Sequence, residues 1–509
     1  MKQTRERTHV DLSKLDSYKE GNRLEAKEAQ GGLPRSIWAS VSAFANTNGG
    51  IILLGVAERK DKALEVVGLK DAHRMADDFW NAAHSPDKLS PCVLADKDVR
   101  IESIDGKDVL VIEVPRAKRQ QRPVYISGNP VRGTYRRDHT GDYSCGMSEI
   151  EAMYRDASNE SADLRLHESL SVTDLSTETV DSYRRRYDLY HQSSAWKDLP
   201  NEEFLCRIGA ACIGEDGKAH PTSAGLLMFG EEWRIMGEFP HYFLDYRQET
   251  SPETRWQDRV TSQTDEWPGN VFGFYQRAYE KMRQALKVPF KLDENSLRVD
   301  ETSAHEALRE AIANCLTNAD YNERRGVVLL WQENGLKLSN PGGFRVSVED
   351  AYAGGISDPR NETMMKMFTL VHVGERAGSG IPNMVKNWTE AGYGTPVLSE
   401  QINPERSTIF LPLSGETAPD EVNGDFLAQG KSRAISLELY SQMNDTEKVA
   451  LRLVAEQGRV TTALLATQAG VSKLTATRTL KGLVDKNVLV WRGRNKTDPA
   501  QYYEMASSS

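Results

Sequence analysis

The chain has 509 residues, 39% hydrophobic and 27% charged, with 38 Gly and 20 Pro. At about 100–200 residues per domain this implies roughly three domains, and the composition excludes a disordered or collagen-like chain. The net charge of −10 argues against a histone-like coating protein but leaves room for a local basic face.

Residues 1–20 are charged and lack the apolar core of an export signal. In residues 1–155, Pro34–Asn46 reads as a helix, because Ile37, Val41, Phe44 and Ala45 share a face. Asn46-Thr-Asn-Gly-Gly50 reads as its turn, with the glycines supplying positive φ. Gly50–Val56 and Val109–Val114 read as buried strands. Residues 156–300 form a connecting region with helices expected over Thr179–Lys197 and Asn270–Lys287, a buried helix start at Pro221–Gly230 and a strand at Tyr242–Arg247. In residues 301–413 the pattern predicts a helix over His305–Tyr321, a hairpin of Val327–Glu333 and Gly335–Ser339, and a closing strand at Ile409–Leu413. Residues 414–440 read as a flexible linker and 441–509 as a small separate unit. The longest apolar run, Ile51–Ala57, is far shorter than the roughly 20 residues of a membrane helix. The five scattered cysteines contain no Cys-x-x-Cys pair, which disfavours a disulfide scaffold or zinc ribbon. A cytoplasmic protein without a membrane partner is therefore expected.

Three constellations carry chemistry. Near the N-terminus, Glu20, Glu25, Lys27 and Glu58 are carboxylates and a lysine at predicted strand ends. They read as solvated surface charge, or as ligands of a divalent cation that activates water at a scissile phosphate. Next, Arg116, Lys118, Arg119, Arg122, Arg132, Arg136 and Arg137 interleave with Tyr125 and Tyr135. Such a pattern suits phosphate neutralisation and base stacking, or simply a solvated hairpin. Third, Glu310 and Asn314 stand four apart on one helix face, where they could orient a water and ligate magnesium. Asn340-Pro-Gly342-Gly343 and the Gly374–Gly380 stretch, with Gly378, are glycine turns that could pass under a base or cradle phosphates.

The segments Leu24-Glu-Ala-Lys27, Val41–Gly50 and Leu54–Glu58, with Pro123-Val-Tyr125, Tyr135-Arg136 and Ser148-Glu149, resemble the Schlafen-type AlbA domain over about residues 15–155. That resemblance implies a nucleic-acid domain. In its nuclease members two Glu spaced by five, here Glu20 and Glu25, and an acid after the glycine-pair strand, here Glu58, form the active site with Mg2+ or Mn2+. This chain has Ala57-Glu58 where two acids are common.

The order of the third constellation resembles the GHKL fold, in the divergent form often described as RecG-related, over about residues 200–413. Pro221–Gly230 and Ser357-Asp-Pro-Arg-Asn361 match the same group. The resemblance implies ATP bound by Glu310, Asn314, Asn340, Gly342, Gly343, Gly378 and Gly380, and a homo-oligomer formed on nucleotide. Asn340 stands where the wider fold has Asp, and Asn318 where relatives often have His. A Gly-x-x-x-x-Gly-Lys-Ser/Thr loop does not occur, so motor activity is not expected.

In the last unit, helices are expected over Thr446–Glu456, Thr461–Ala469 and Ser472–Lys486, then a two-stranded wing. This resembles a winged helix-turn-helix. From Tyr440 to Met505 ten Lys and Arg stand against six Asp and Glu. Lys473, Arg478 and Lys481 would lie on a recognition helix, with Arg492 and Arg494 in the wing; protein contact or dimerisation is the other use of such a unit. The fold expected is thus α+β and multidomain: AlbA-like α/β, GHKL-like α/β sandwich, winged helix. Two functions follow: a nucleotide-gated, metal-dependent nuclease acting on RNA or DNA in anti-phage or stress defence, or a non-enzymatic, nucleotide-responsive DNA-binding regulator.

Overall fold

The computed structural model describes residues 21–60, 62–249, 256–284, 286, 302–374, 378–402, 404–414, 446–447, 450, 454, 460–468, 471–485, 488–492 and 502–505. Glu20, Arg494, the linker and most of the expected helix over Thr446–Glu456 lie outside them. The chain forms two compact units, residues 1–418 and 419–509.

The first unit begins with β1 (Leu24–Lys27), α1 (Ile37–Asn46) and β2 (Gly50–Leu54). β1 and β2 pair in parallel, so α1 is their crossover. After β3 (Val56–Glu58), β4 (Leu64–Val66) and α2 (Ala72–Ala83) come β5 (Val99–Ile104) and β6 (Lys107–Val114). They complete a sheet in the order β1-β2-β6-β5. Alternation along β2 explains the continuous apolar run. Ile52 and Leu54 pack with Phe44 and Phe79, whereas Ile51 and Leu53 pack on the other face with Leu24, Val56 and Leu64.

Every residue of α1 except Ala39 is buried. Its buried polar side chains are satisfied by backbone from further along the chain. Asn46 Nδ2 donates to Val124 O (2.7 Å) and Tyr135 O (3.0 Å), and its Oδ1 accepts from Val124 N–H (2.8 Å). Thr47 Oγ1 accepts from Arg137 N–H at 2.9 Å. These bonds hold the hairpin of β7 (Tyr135–Asp138) and β8 (Gly141–Ser144) against α1. Asn46-Thr47 is therefore a polar clasp as well as the start of a turn.

α3 (Met147–Ala157) leads into α4 (Thr177–Tyr190), α5 (Asn201–Ile208), the pair β9 (Ala211–Ile213) and β10 (Ala219–Pro221), α6 (Ser223–Phe229) and α7 (Glu232–Glu238). β11 (Leu244–Glu249), β12 (Asp258–Thr261), α8 (Val271–Arg283) and α9 (Ser303–Thr317) follow. Then come β13 (Val327–Gln332), β14 (Gly335–Pro341), α10 (Val348–Ala353), α11 (Glu362–Leu370), α12 (Gly380–Glu390), β15 (Val397–Ile402) and β16 (Glu405–Pro412). One six-stranded sheet runs β12-β11-β13-β14-β16-β15, with β11 parallel to β13 and the other neighbours antiparallel.

This sheet differs from the expected boundary at residue 300. β11 and β12 come from the supposed connecting region yet pair into the ATPase-like sheet. Leu244 and Phe272 share one hydrophobic core with Leu308, Leu338 and Ile409. The connecting region is structurally part of that domain. α9 packs on α8, α12 and β14 and presents Ala307, Leu308, Ala311 and Ile312 to this core.

The second unit contains α13 (Thr462–Gln468), α14 (Lys473–Asp485) and the antiparallel pair β17 (Leu489–Arg492) and β18 (Tyr502–Met505). Ser472 Oγ accepts from Thr475 N–H at 3.1 Å, capping α14. Ala476, Leu480 and Leu483, at helical spacing, face a core with Leu465, Leu489 and Tyr503.

Candidate functional site

Glu25 lies on β1 and is only 9% exposed. Arg137 Nη2 donates to it at 2.8 Å and Lys27 Nζ at 2.7 Å. Arg137 also reaches Asp142 (2.8 Å) and Gly21 O, and lies 5.0 Å from the Phe44 ring centroid. Its guanidinium is thus a structural tie under Glu25. Glu58 ends β3 and is exposed. Among the described residues no three metal-ligating side chains are grouped so that they could hold an ion. Both Glu25 oxygens already accept, Oε1 from Lys27 and Oε2 from Arg137.

The basic cluster departs further from expectation. Instead of facing solvent, its leading members point into the first unit. Arg116 makes two bonds to Glu400, and Arg119 grips Asp358 with Nε and Nη2 (Nη2–Oδ1 3.1 Å). Arg119 Nη1 further donates to Asp156 O (2.7 Å) and Ser158 O (2.8 Å). Arg122 is 7% exposed and approaches Glu405 at 3.9 Å. Arg136 pairs with Glu149 at 2.9 Å, and Tyr135 is half-buried. Arg119 and Arg122 therefore join domains and are not open phosphate ligands. Their carboxylate partners lie more than two hundred positions away, so the run alone looked like a basic surface.

Arg122 Nε is buried without a hydrogen-bond partner among the described residues. Burial pushes the Arg122 pKa down and the Glu405 pKa up; at 3.9 Å their mutual attraction does not offset the loss of water. With Asn46, Arg116 and Glu400 they line a cleft of about 20 Å³, room for about one water.

The nucleotide set separates into two places. On α9, Asn314 Nδ2 donates to Glu310 Oε1 at 2.7 Å. The Glu310 carboxylate rests against Gly374 and the first residue of α12, Gly380, where a methyl group would overlap it. Glu310, Asn314 and Gly380 are thus brought together, and Gly378 lies two residues before α12. Asn340, Gly342 and Gly343, at the end of β14, meet a different neighbour. A Cβ on Gly342, whose φ is +89°, would lie 2.5 Å from the Arg360 guanidinium. Arg360 donates to Asp156 with Nε (2.9 Å) and Nη2 (2.8 Å), to Gly343 O (3.3 Å) and to Asn318 O. Burial opposes both charges, yet their mutual attraction prevails: the Asp156 pKa falls and the Arg360 pKa rises. Glu310, Asn314 and Gly380 thus form one group, while the space over Gly342 is filled by Arg360.

Sequence reasoning missed Asp156 and the role of Arg360. The Ser357–Asn361 motif signalled the loop, but Asp156 is one acid among many at the end of α3. In the second unit Lys473, Arg478 and Lys481 are exposed on α14, and Arg492 is exposed at the end of β17.

Comparison with known proteins sets these sites in a family. The family model "Schlafen, AlbA_2" matches residues 18–144, and "Putative ATP-dependent DNA helicase recG C-terminal" matches residues 324–408. A domain of unknown function (DUF8451) matches residues 151–245. No curated protein matches the chain. Among solved structures, the DIP2311 protein of Corynebacterium diphtheriae is 16% identical, with 95% of this chain and 92% of that one covered and a TM-score of 0.39. The N-terminal domain of a putative ATP-dependent DNA helicase RecG-related protein from Nitrosomonas europaea is 32% identical. It covers 27% of this chain and 91% of its own, with a TM-score of 0.21. The chain thus carries a Schlafen AlbA_2 domain over residues 18–144 and a RecG-C-terminal type of ATPase-like domain over residues 324–408.

Proposed function

We propose that the chain is a nucleotide-responsive nucleic-acid-binding protein. The observation that carries the nucleotide reading is the Asn314–Glu310 bond of 2.7 Å, set against Gly380 at the start of α12. With its amide nitrogen donating to Glu310, Asn314 presents its carbonyl oxygen to a cation. Glu310 can hold a water, and the N–H groups around Gly380 can face phosphate. Bound ATP with magnesium would supply the phosphoanhydride and its charge; the chain's part is to bind and orient it. Asn314→Ala is expected to lower magnesium-ATP affinity by about tenfold, the effect of roughly one charge-assisted contact. Unchanged affinity by calorimetry removes residue 314 from the site.

The nucleic-acid reading rests on the family and on the exposed Lys473, Arg478 and Lys481 of α14, with Arg492 on β17, read as a winged helix that sets α14 in a groove. Homo-oligomerisation on nucleotide belongs to the same reading, and sedimentation with and without ATP tests it.

A metal-dependent nuclease is the second reading, favoured by Lys27 Nζ at 2.7 Å from Glu25, which puts a positive charge that can face a phosphate beside a carboxylate that can face a metal ion. Labelled tRNA, single-stranded RNA and duplex DNA, incubated with magnesium or manganese, separate the two. Cleavage lost in Glu25→Gln supports the nuclease; binding without cleavage by the unaltered protein leaves the regulator.

A further inference from the structure

Arg360 and Asp358 lie on one loop between α10 and α11, and that loop touches three things at once. Through Arg360 it fills the space over Gly342 and bonds Asn318 O at the end of α9. Through Asp358 and the Arg360–Asp156 pair it holds Arg119 and α3 of the N-terminal half. At its start, Gly355 N–H donates to Gly378 O at 2.9 Å, and Gly378 has no room for a side chain because a Cβ would meet Ile356 N at 2.7 Å. The glycine-rich stretch before α12 is thus hydrogen-bonded to the loop whose next residues clamp the N-terminal half.

We propose that this loop is an autoinhibitory latch: nucleotide entering over Gly342 displaces Arg360, parts it from Asp156, and so loosens the hold of the ATPase-like domain on the N-terminal half. The latch rests on the nucleotide reading above and goes beyond it by coupling the pocket to the AlbA domain. Two bodies cannot occupy the space over Gly342. A base lying on that turn and the Arg360 guanidinium are mutually exclusive, and Arg360 cannot move without releasing the bidentate Asp156 pair. The coupling is reciprocal: whatever loosens the far side of the latch strengthens nucleotide binding by the same factor. Among the other contacts between the halves, Arg122–Glu405 is long at 3.9 Å, whereas Arg116–Glu400 and the 2.9 Å Arg155–Asp320 pair stay in place, so the latch loosens the junction without dissolving it.

The far side is cut by Arg119→Gln or Asp358→Asn, both outside the proposed nucleotide site. In the full-length protein each change is expected to tighten magnesium-ATP binding by about fivefold or more, the ordinary scale of allosteric coupling. In the unaltered chain, ATP is expected to speed amide exchange over residues 119–121 and 154–158. Equal affinities in the variants, together with unchanged exchange on adding ATP, overturn the latch and leave the nucleotide reading standing. Failure of the unaltered chain and both variants to bind ATP overturns that reading and the latch with it. The exchange measurement needs no substitution, so a variant that fails to fold does not shield the proposal.

Discussion

Removing the Asn46 carboxamide tests the claim that the AlbA-like domain is held by a polar clasp. In Asn46→Ala, Val124 O keeps its bond from Ser42 Oγ at 2.7 Å, but Val124 N–H and Tyr135 O lose their partner. Asn46 is 5% exposed, so water does not readily replace it. Each buried backbone group left unsatisfied costs about 1–3 kcal/mol. Two of them predict a loss of roughly 2–6 kcal/mol, with the lower end favoured if the site relaxes enough to admit a water. At about 1.4 kcal/mol per decade, core amides of β2 and β6 should exchange roughly 30- to 20,000-fold faster wherever exchange proceeds through opening of this domain. Hydrogen exchange read by mass spectrometry measures it in the full-length chain. The exposed Asn48, two residues on, serves as control: Asn48→Ala should change exchange less than about twofold, as surface substitutions do. An Asn46→Ala effect no larger than the control would refute the clasp.

Three further outcomes follow from the geometry. Gly380→Ala places a methyl group on the Glu310 carboxylate; it should cost about 1–3 kcal/mol by overpacking, seen as a lower melting temperature, and should abolish any ATP turnover. The pKa of Glu405 is raised by burial, so the folded protein holds its proton more tightly than the unfolded chain does. Stability from this residue is therefore present below the ordinary glutamate range and lost as pH climbs through the raised value. Glu405→Gln should flatten that loss and leave the protein at least as stable at neutral pH; urea midpoints measured from pH 4 to 8 that fall in parallel for both proteins contradict it. In the second unit, Arg478→Ala and Lys481→Ala should each weaken DNA binding across sequences and reduce the salt slope by about one if they contact phosphate. An unaltered slope removes them from the interface.

Local physics made much of this protein legible from its sequence. The apolar face of Ile37, Val41 and Phe44, the Gly50–Leu54 run and the Asn334-Gly335 turn each encode their element by periodicity or backbone freedom. The four-residue spacing of Glu310 and Asn314 is enough to place them on one helix face, and their 2.7 Å bond follows from that. Pairing across hundreds of residues is different, because charge patterning along a chain does not reveal which opposite charge comes to meet it. Arg116, Arg119 and Arg122 looked like a surface for phosphate until the fold brought Glu400, Asp358 and Glu405 to them. Asn46 passed for a turn residue because its partners, Val124 and Tyr135, become neighbours only when the β7–β8 hairpin docks on α1. Likewise β11 and β12 belong to the ATPase-like sheet through a parallel pairing with β13 some eighty residues on. Sequence by itself determined many of the elements, the resemblance of the two domains and the pairs within one turn of a helix; tertiary structure alone decided which charges neutralise one another, since that depends on proximity in space and on the water excluded when the domains close.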